Sequence, residues 1–572
     1  MTEIGTGDPP ALDIPERALT EYLPMRAERD EPAFTWTGRD GAEHTLSWPG
    51  LLARVQALAA NLRSVAGQGE RIAVLTRQDL DYVVGFLGVL YAGLVAVPLF
   101  APETRAHRPR LVAALRDSAA TVWLTSAQDK DRLRELAETE SLPLPPQVMA
   151  VDEVRGNAAG APAEVDLAAP AYLQYTSGST RDPAGAVITH GALTASVCQV
   201  AEAYAVHQGT TCAGWIPFSH DMGLIQLLCV PVFTGARSVF MEPLEFIRRP
   251  RRWLEQLSGY PDVFTAAPNF AYDHAVDAVP AAARTGLDLS GVRIALNGSE
   301  PVRQATITAF AEAFGPYGFA PTAHRPSYGL AEATVYVSSA GPEGPTSTSF
   351  GRAALARGRA EPPGSEDDER RLVSVGRPVG QLVRIVDPDL GLLRPDGREG
   401  EIWVHGPHLA AGYWRKPEST ATTFSGLIAD PPAGLPRDGW LRTGDLGLVH
   451  AGQLYITGRR KDVIVIDGHN HYPQDIEDTV AGADPLIRRD RVAAFAVTDD
   501  RGEGVMVVAE HVRVADPTGP DRSRIATEVR RAVAERHDLV LRAFELVAPG
   551  GVPRTSSGKV ARSAARQRHW PG

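Results

Sequence analysis

Helical and strand patterns alternate along the first half of this chain, and this alternation constrains the fold more than any other feature. Ser47-Trp-Pro predicts the cap and first turn of a helix, and apolar residues then recur with helical spacing. Strand patterns occur at residues 71–76, 121–125, 262–266 and 292–297. Parallel strands need long crossover connections, which helices usually supply. The sequence therefore predicts an α/β fold with largely parallel sheets covered by helices.

The length and the later patterns indicate more than one domain. A chain of 572 residues is too long for one hydrophobic core. Strand patterns at residues 382–386 and 401–405 indicate a β-rich unit, and the pattern changes again near Gly458-Arg-Arg-Lys-Asp462. We therefore predict a large N-terminal domain over residues 1–460 and a small α+β domain over residues 461–572.

Net charge and cysteine content limit the partners and the compartment. The formal net charge of −11 argues against nucleic acid as a partner, because such binding usually needs a basic face. The three cysteines form no Cys-x-x-Cys pair, which is typical of a reduced, cytoplasmic protein, and the N-terminus has no signal-peptide pattern. Residues 83–100 are uncharged, but Gly85, Gly88, Gly93 and Pro98 interrupt them. We expect a helix and a buried strand there rather than stable membrane insertion.

Residues 175–185 form a polar segment between two apolar runs and read Tyr-Thr-Ser-Gly-Ser-Thr-Arg-Asp-Pro-Ala-Gly. Glycines, hydroxyl side chains and a proline predict a turn whose backbone N–H groups can bind phosphate oxygens. The spacing differs from the G-x-x-x-x-G-K-[ST] loop of many nucleotide-binding proteins. Taken alone, such a segment is more often an ordinary Ser/Thr/Gly turn.

Four further motifs follow this loop along the chain. They are Ser327-Tyr-Gly-Leu-Ala-Glu332, Trp440-Leu-Arg-Thr-Gly-Asp445, Gly458-Arg-Arg-Lys-Asp462 and Pro553-Arg-Thr-Ser-Ser-Gly-Lys559. Together with the loop, they resemble the ordered motifs of the adenylate-forming superfamily, which includes acyl-CoA synthetases, peptide-synthetase adenylation domains and luciferases. The resemblance covers nearly the whole chain.

Within that superfamily, the chain most resembles the fatty acyl-AMP ligases. Arg181 and Ala184 stand where most relatives have Gly and Lys, and two motifs, Phe218-Ser-His-Asp-Met-Gly223 and Gly468-His-Asn-His-Tyr-Pro, are similar to those of the ligases. Residues 346–371 lie where those ligases have an additional insertion. We expect the apolar start of this insertion to pack on the large domain and its charged end, from residue 359, to form a mobile surface loop in water.

The resemblance implies roles for the motif residues. The implied ATP- and AMP-binding residues are Thr176, Ser177, Gly178, Ser179, Thr180, Gly298, Ser299, Glu300, Ser327, Tyr328, Gly329, Asp445 and Arg459. Among them, the loop would hold pyrophosphate, Tyr328 would stack on adenine, and Asp445 would bind the ribose. The implied catalytic residues are Lys559, Glu332 and His220, the implied Mg²⁺ ligands are Glu332 and Thr176, and the implied hinge is Lys461.

The acyl pocket is less well specified by the sequence. The candidate residues lie in segments similar to the substrate tunnels of the ligases, although each could equally be ordinary core; they are Trp215, Met222, Leu224, Phe264, Phe270 and Tyr272. On local sequence alone, His220 could be a packed histidine and Lys559 a solvated surface lysine. Arg248-Arg-Pro-Arg-Arg252 is either a solvated helix start or a docking patch for an acidic carrier protein or phosphates.

The resemblance implies an enzyme that uses ATP and Mg²⁺ to convert a fatty or fatty-like acid into acyl-AMP and pyrophosphate. The enzyme would then pass the acyl group to the phosphopantetheine thiol of an acyl carrier protein. No carrier motif follows Lys559, so the carrier would be a separate protein, as in polyketide or lipopeptide biosynthesis. Two alternatives stay open: an acyl-CoA synthetase that uses free coenzyme A, and a non-catalytic nucleotide-binding relative.

Overall fold

The computed structural model describes residues 12–102, 108–143, 145, 147–156, 160–175, 183–466, 469–499, 502–513, 521–554 and 559–570. The strands before residue 340 are β1 (Pro32–Thr37), β2 (Glu43–Ser47), β3 (Arg71–Val74), β4 (Val95–Pro98), β5 (Val122–Thr125), β6 (Gln147–Ala150), β7 (Pro170–Tyr175), β8 (Gly185–Thr189), β9 (Thr211–Gly214), β10 (Arg237–Met241), β11 (Val263–Ala267), β12 (Val292–Asn297), β13 (His324–Tyr328) and β14 (Ser338–Ser339). The later strands are β15 (Ser347–Gly351), β16 (Glu369–Val373), β17 (Leu382–Val386), β18 (Gly400–His405), β19 (Leu441–His450), β20 (Gln453–Arg459), β21 (Ile464–Ile466), β22 (His469–His471), β23 (Ile487–Asp499), β24 (Gly502–His511) and β25 (Leu541–Val547).

Helices connect and cover these strands. They are α1 (Tyr22–Arg26), α2 (Trp48–Arg63), α3 (Leu80–Tyr91), α4 (Arg108–Ser118), α5 (Lys130–Thr139), α6 (His190–Ala203), α7 (Asp221–Leu224), α8 (Val230–Thr234), α9 (Pro243–Arg248), α10 (Arg251–Ser258), α11 (Asn269–Ala278), α12 (Gln304–Phe314), α13 (Arg352–Ala356), α14 (Pro417–Phe424), α15 (Pro473–Ala483), α16 (Arg522–His537) and α17 (Arg562–His569). A π-helical turn, Ile225–Cys229, joins α7 to α8.

Two large sheets form the centre of the molecule. The eight-stranded sheet has the order β14-β13-β12-β11-β9-β10-β1-β2, and its strands from β13 to β1 are parallel. The six-stranded sheet has the order β6-β5-β3-β4-β7-β8, in which β8 alone pairs antiparallel. One hydrophobic cluster contains residues of both sheets and of α2, α3 and α6. The predicted α/β class is therefore confirmed.

The uncharged segment at residues 83–100 folds as a helix and a strand, as the sequence predicts. The Asp79 carboxylate caps the start of α3 by accepting hydrogen bonds from the backbone N–H groups of Asp81 and Tyr82. After α3 the chain turns into the buried strand β4. Both elements lie in the central core, where they bury their apolar side chains against β3 and α2. Within the described residues, no helix combines the length and apolar character that crossing a membrane requires.

The segment at residues 346–371 differs from its prediction at the charged end. Its apolar start behaves as expected, because Phe350 packs with Leu355, Leu448 and Tyr455. The end is a surface loop only in part: residues 360–368 are irregular and mostly exposed, as expected, but residues 369–371 enter β16, which pairs antiparallel with β15. Arg370 is 6% exposed, donates from Nε to the Asp475 carboxylate at 2.9 Å, and lies over the Tyr472 ring at 4.2 Å. A charged side chain can be buried when a carboxylate and an aromatic face receive it.

The part of the chain after residue 460 has hydrophobic clusters of its own. Strands β23, β24 and β25 form a three-stranded sheet, and α15 and α16 pack together beside it. The clusters in this part contain only residues from 464 onward. The antiparallel sheet β17-β18-β19-β20 precedes it and ends at Arg459. The boundary at residue 460 stays a prediction, and separate clusters are what independent domains would require.

Candidate functional site

A cavity of about 1920 Å³ lies where the carboxyl ends of several strands meet the C-terminal part of the chain. Residues at or just after the ends of β7, β12 and β13 line it, together with residues of β19 and β20. From the end of the chain, Arg554 and residues 559–563 also line it. Ligands of α/β proteins commonly bind beyond the carboxyl ends of parallel strands. The cavity contains most of the predicted site residues that the structure describes: His220, Gly298, Ser299, Glu300, Ser327, Tyr328, Gly329, Glu332, Asp445, Arg459, Lys461 and Lys559.

Asp445 connects two other predicted nucleotide-binding residues. The Tyr328 hydroxyl donates to Asp445 Oδ2 at 2.7 Å, and Arg459 Nε donates to Asp445 Oδ1 at 2.8 Å. Adjacent pairing of β19 and β20 places Asp445 directly opposite Arg459. The neighbouring Asp445 carboxylate raises the pKa of Arg459, and burial raises that of Tyr328. A fixed carboxylate can accept hydrogen bonds from ribose hydroxyls, and an aromatic ring beside it can stack on a purine.

The wall formed by residues 298–300 is held by a buried amide. Asn269 Nδ2 donates to Glu300 Oε1 at 3.1 Å and to the carbonyl of Pro301 at 2.8 Å. Ser299 has a φ of 72°, an uncommon value for a side chain other than glycine. Strain of this kind persists only where surrounding contacts fix the backbone. This wall is therefore a preformed feature of the site.

Gly329 is required by close backbone packing. A Cβ at this position would lie 1.5 Å from the carbonyl oxygen of Val335. We expect Gly329→Ala to lower the melting temperature and to weaken ATP binding at least tenfold, because the backbone that positions Tyr328 must move. Thermal unfolding and ATP titration measure both effects. Gly315→Ala is the matched control, since nothing lies within 4 Å of its Cβ. Equal behaviour of the two variants would contradict the expectation.

Glu332 is a partly buried carboxylate with one hydroxyl partner. It lies in the 3-10 turn Ala331–Ala333, and its Oε1 accepts a hydrogen bond from the Tyr413 hydroxyl at 2.6 Å. Burial raises the pKa of Glu332 above its usual value. A nearby divalent cation would stabilise this charge, so the carboxylate fits a Mg²⁺ ligand. Among the described residues, no group of three or more His, Cys, Asp or Glu side chains is placed to hold a metal ion.

Lys559, the last residue of the motif that begins at Pro553, lines the same cavity. Burial lowers its pKa, and the positive charge of Arg459 adds to this effect, whereas Asp221, Glu300 and Asp445 act in the opposite direction. The ammonium therefore lies in a partly dehydrated site between charges of both signs. A substrate carboxylate and phosphate would favour the charged form of this lysine.

His220 and Asp221 lie in close polar contact at the start of α7. His220 Nδ1 lies 2.6 Å from Asp221 Oδ1, and the backbone N–H of Met222 donates to the same oxygen at 2.7 Å. Burial alone would raise the pKa of Asp221, but His220, the Met222 N–H and Lys559 outweigh it and hold the pKa below its usual range. Asp221 lines the cavity without a predicted role, although it lies within the motif Phe218–Gly223. Tyr413 also lines the cavity, and because it lies in none of the motifs, no sequence signal indicates it.

The six acyl-pocket candidates separate into two groups. Met222 and Phe270 line the cavity. The other four, Trp215, Leu224, Phe264 and Tyr272, are buried in hydrophobic clusters and do not line it. Trp215 stacks on Phe246, and the Tyr272 hydroxyl donates to the carbonyl of Leu296. These four side chains therefore pack as core in this structure, and their assignment to the acyl pocket stays a prediction. The aromatic and apolar lining comes instead from Tyr82, Phe100, Phe218, Leu296, Val335 and Tyr336.

Two other predicted features lie in different places: the phosphate loop and the hinge. Residues 176–182, including Thr176, Ser177, Gly178, Ser179 and Thr180, lie outside the described residues, but Tyr175 and Ala184 on either side line the cavity. Lys461 lies in the exposed turn Arg460–Asp462 after β20.

The basic cluster at residues 248–252 is partly compensated: three of its four arginines lie near carboxylates, and two of these share Glu245. Arg252 forms an ion pair with Glu245 at 2.9 Å, and Arg251 forms one with Glu255 at 2.7 Å. Arg248 is 3.8 Å from the Glu245 carboxylate. These pairs reduce the positive potential that a docking patch would need, which favours the interpretation as a solvated helix start.

Comparisons with known proteins agree with this geometry. A family model described as "AMP-binding enzyme" matches residues 24–414. Long-chain-fatty-acid–AMP ligase FadD26 of Mycobacterium marinum is 39% identical, with 98% of each chain covered. FadD32 of Mycolicibacterium smegmatis, also a long-chain-fatty-acid–AMP ligase, is 40% identical over 94% of this chain and 90% of its own. The crystal structure of a fatty acid AMP ligase from Legionella pneumophila is 31% identical, with a TM-score of 0.75 over 97% of this chain and 96% of that one. The chain therefore belongs to the AMP-binding enzymes of the adenylate-forming superfamily and, within it, to the fatty acyl-AMP ligase family.

Proposed function

We propose that this protein activates a fatty or fatty-like acid with ATP and transfers the acyl group to a separate acyl carrier protein. The observation that supports this most strongly is the common cavity of Lys559, Glu332 and the pair Asp445–Arg459, which opens onto an aromatic and apolar wall. One site thus offers cations and carboxylates for a nucleotide and apolar surface for an acyl chain. The relatives' names, long-chain-fatty-acid–AMP ligases, support the same substrate class.

The first half-reaction joins two anions. A carboxylate oxygen of the acid attacks the α-phosphorus of ATP, the bond from that phosphorus to the bridging oxygen breaks, and pyrophosphate leaves. When bound at Glu332, Mg²⁺ would neutralise phosphate charge. Asp445 would hold the ribose and Tyr328 the adenine. Lys559 would contact the attacking carboxylate and the α-phosphate, where negative charge increases in the transition state.

The second half-reaction needs a different arrangement of the same cavity. The thiol sulfur of phosphopantetheine attacks the acyl carbonyl, AMP leaves, and a thioester forms. Lys559 occupies the cavity in this structure, so we propose that residues 461–572 rotate at Lys461 to admit the thiol. We place the enzyme in the cytoplasm, since its three cysteines are free and buried.

Pyrophosphate release with a panel of carboxylic acids tests this proposal. We expect release with medium- or long-chain acids, acyl transfer to a phosphopantetheinylated carrier protein, and little acyl-CoA when coenzyme A is added. Acyl-CoA formation at the rate of adenylation would instead support the acyl-CoA synthetase. ATP binding without release for any acid would support the non-catalytic relative.

The proposed hinge makes a separate prediction. We expect Lys461→Pro to slow acyl transfer at least tenfold while changing acyl-AMP formation less than threefold, because proline fixes φ at the point of rotation. Single-turnover measurements of each half-reaction provide the comparison. Lys461→Ala is the control, since it removes the side chain and leaves the backbone free. If both half-reactions fall equally in Lys461→Pro, the rotation occurs elsewhere.

A further inference from the structure

An ionic contact joins the wall of the nucleotide site to the C-terminal region, which we define as residues 461–572. Arg303 Nη1 lies 3.1 Å from Asp490 Oδ1, and Arg303 Nη2 lies 2.6 Å from Asp273 Oδ2. Arg303 precedes α12, Asp273 belongs to α11, and Asp490 belongs to β23. One guanidinium therefore contacts a carboxylate on each side of the proposed boundary.

Arg303 is fixed rigidly to the nucleotide-site wall. The Asn269 Oδ1 accepts a hydrogen bond from the backbone N–H of Arg303 at 3.1 Å, while Nδ2 of the same amide donates to Glu300. One buried side chain thus connects Arg303 to the 298–300 wall. In the C-terminal region, Arg554 lies over the Phe270 ring at 5.8 Å, and Asp490 acts electrostatically on Arg554. The Arg303–Asp490 contact is therefore close to Arg554, which precedes Lys559 by five residues along the chain.

Among the described residues, the other ionic contacts across the boundary have a different position, because both involve Asp475: Arg370 pairs with it, and Arg352 Nη1 lies 4.0 Å from its Oδ2. Arg370 also donates to the carbonyl of Thr457 at 2.9 Å, just before the proposed hinge. The Tyr472 ring packs against Gly458 at the same place. The approach is so close that a Cβ on Gly458 would lie 2.9 Å from the ring. Contacts near a pivot move little during rotation. The Arg303–Asp490 pair is thus the ionic contact that should differ more between the arrangement for acyl-AMP formation and the arrangement for acyl transfer.

The charges of this contact permit it to break and re-form. When Asp490 moves away, Arg303 keeps Asp273 as a partner, so no buried cation is left unpaired. The Asp490 side chain is already 36% exposed and would enter water. A partly exposed pair contributes little free energy, which suits a contact that must open during each turnover.

We propose that Arg303 is a positioning residue that holds the C-terminal region through Asp490 while Lys559 lies in the site. The contact favours acyl-AMP formation and must open before acyl transfer. This inference rests on the proposed two-step function and on rotation of the C-terminal region. It assigns no contact of Arg303 with substrate.

Asp490→Asn is the direct test in the full-length protein. We expect acyl-AMP formation to slow about three- to tenfold, and transfer from preformed acyl-AMP to a carrier protein to stay unchanged or become faster. Glu528→Gln is the matched control, because Glu528 pairs with Arg531 within α16 at 2.8 Å and crosses no boundary. In the double variant with Arg303→Gln, adenylation should be no slower than in Arg303→Gln alone. Equal slowing of both half-reactions, or additive losses in the double variant, would overturn the inference.

A second readout needs no catalytic activity. Without substrates, trypsin should cleave the turn at Arg460 and Lys461 at least twofold faster in Asp490→Asn than in the wild type, as measured by mass spectrometry of the fragments. An unchanged cleavage rate would overturn the inference. If the wild type forms no acyl-AMP but the cleavage rates differ as expected, the proposed function fails and the contact between the two parts stands.

Discussion

Replacing Lys559 with alanine is expected to slow acyl-AMP formation by about two or more orders of magnitude. Its ammonium lies in the cavity with Asp445, Glu300 and Asp221 acting on it, and it is partly removed from water. A cation in such a site interacts more strongly with developing phosphate charge than it would in water. The loss should appear in the rate and less in ATP binding, since the lysine contacts the charge that forms during the reaction.

Pyrophosphate release in a single turnover measures this effect. Lys130→Ala is the control, because Lys130 pairs with Glu153 on the surface and does not line the cavity. Transfer from preformed acyl-AMP should be nearly normal in Lys559→Ala, since the proposed rotation of residues 461–572 would take the lysine out of the site before the thiol enters. Adenylation by this variant within threefold of the wild-type rate would reject the assignment of Lys559.

The class of fold was predictable from local sequence, and the motifs indicated which residues line the cavity, although their roles there stay predictions. Helix and strand periods, with the caps at Ser47 and Asp79, specify the order of elements. The motif residues Tyr328 and Asp445 are separated along the chain but lie at strand positions that meet in one cavity. Glycines within the motifs were also informative, because they mark places where the backbone packs too closely for a side chain. A Cβ on Gly329, for example, would collide with the carbonyl oxygen of Val335.

Features that depend on distant partners were not predictable. The charged composition around Arg370 suggests a solvated loop, but Asp475, Thr457 and Tyr472 receive the side chain in the folded protein. Apolar identity likewise does not distinguish a pocket wall from core. Met222 lines the cavity, whereas Trp215 and three other candidates pack against neighbours. These outcomes depend on tertiary contacts rather than on local patterns.

Asp445→Asn should raise the ATP concentration needed for half-maximal adenylation by about 30- to 100-fold. The neutral amide would weaken hydrogen bonds to the ribose and remove the charge that pairs with Arg459. Loss of one charge from a buried pair can cost several kcal/mol. The Arg459 side chain is 49% exposed, however, so water compensates part of that loss and the effect should be smaller.

Tyr328→Phe provides the matched comparison for this variant. It removes the 2.7 Å hydrogen bond to Asp445 while keeping an aromatic ring for adenine, so we expect less than a tenfold change. Adenylation rates at varied ATP concentration, with melting temperatures measured in parallel, separate substrate binding from folding. If Asp445→Asn and Tyr328→Phe have equal effects, Asp445 acts only by holding Tyr328. A larger effect of Asp445→Asn at an unchanged melting temperature is the result expected of a carboxylate that binds the nucleotide itself.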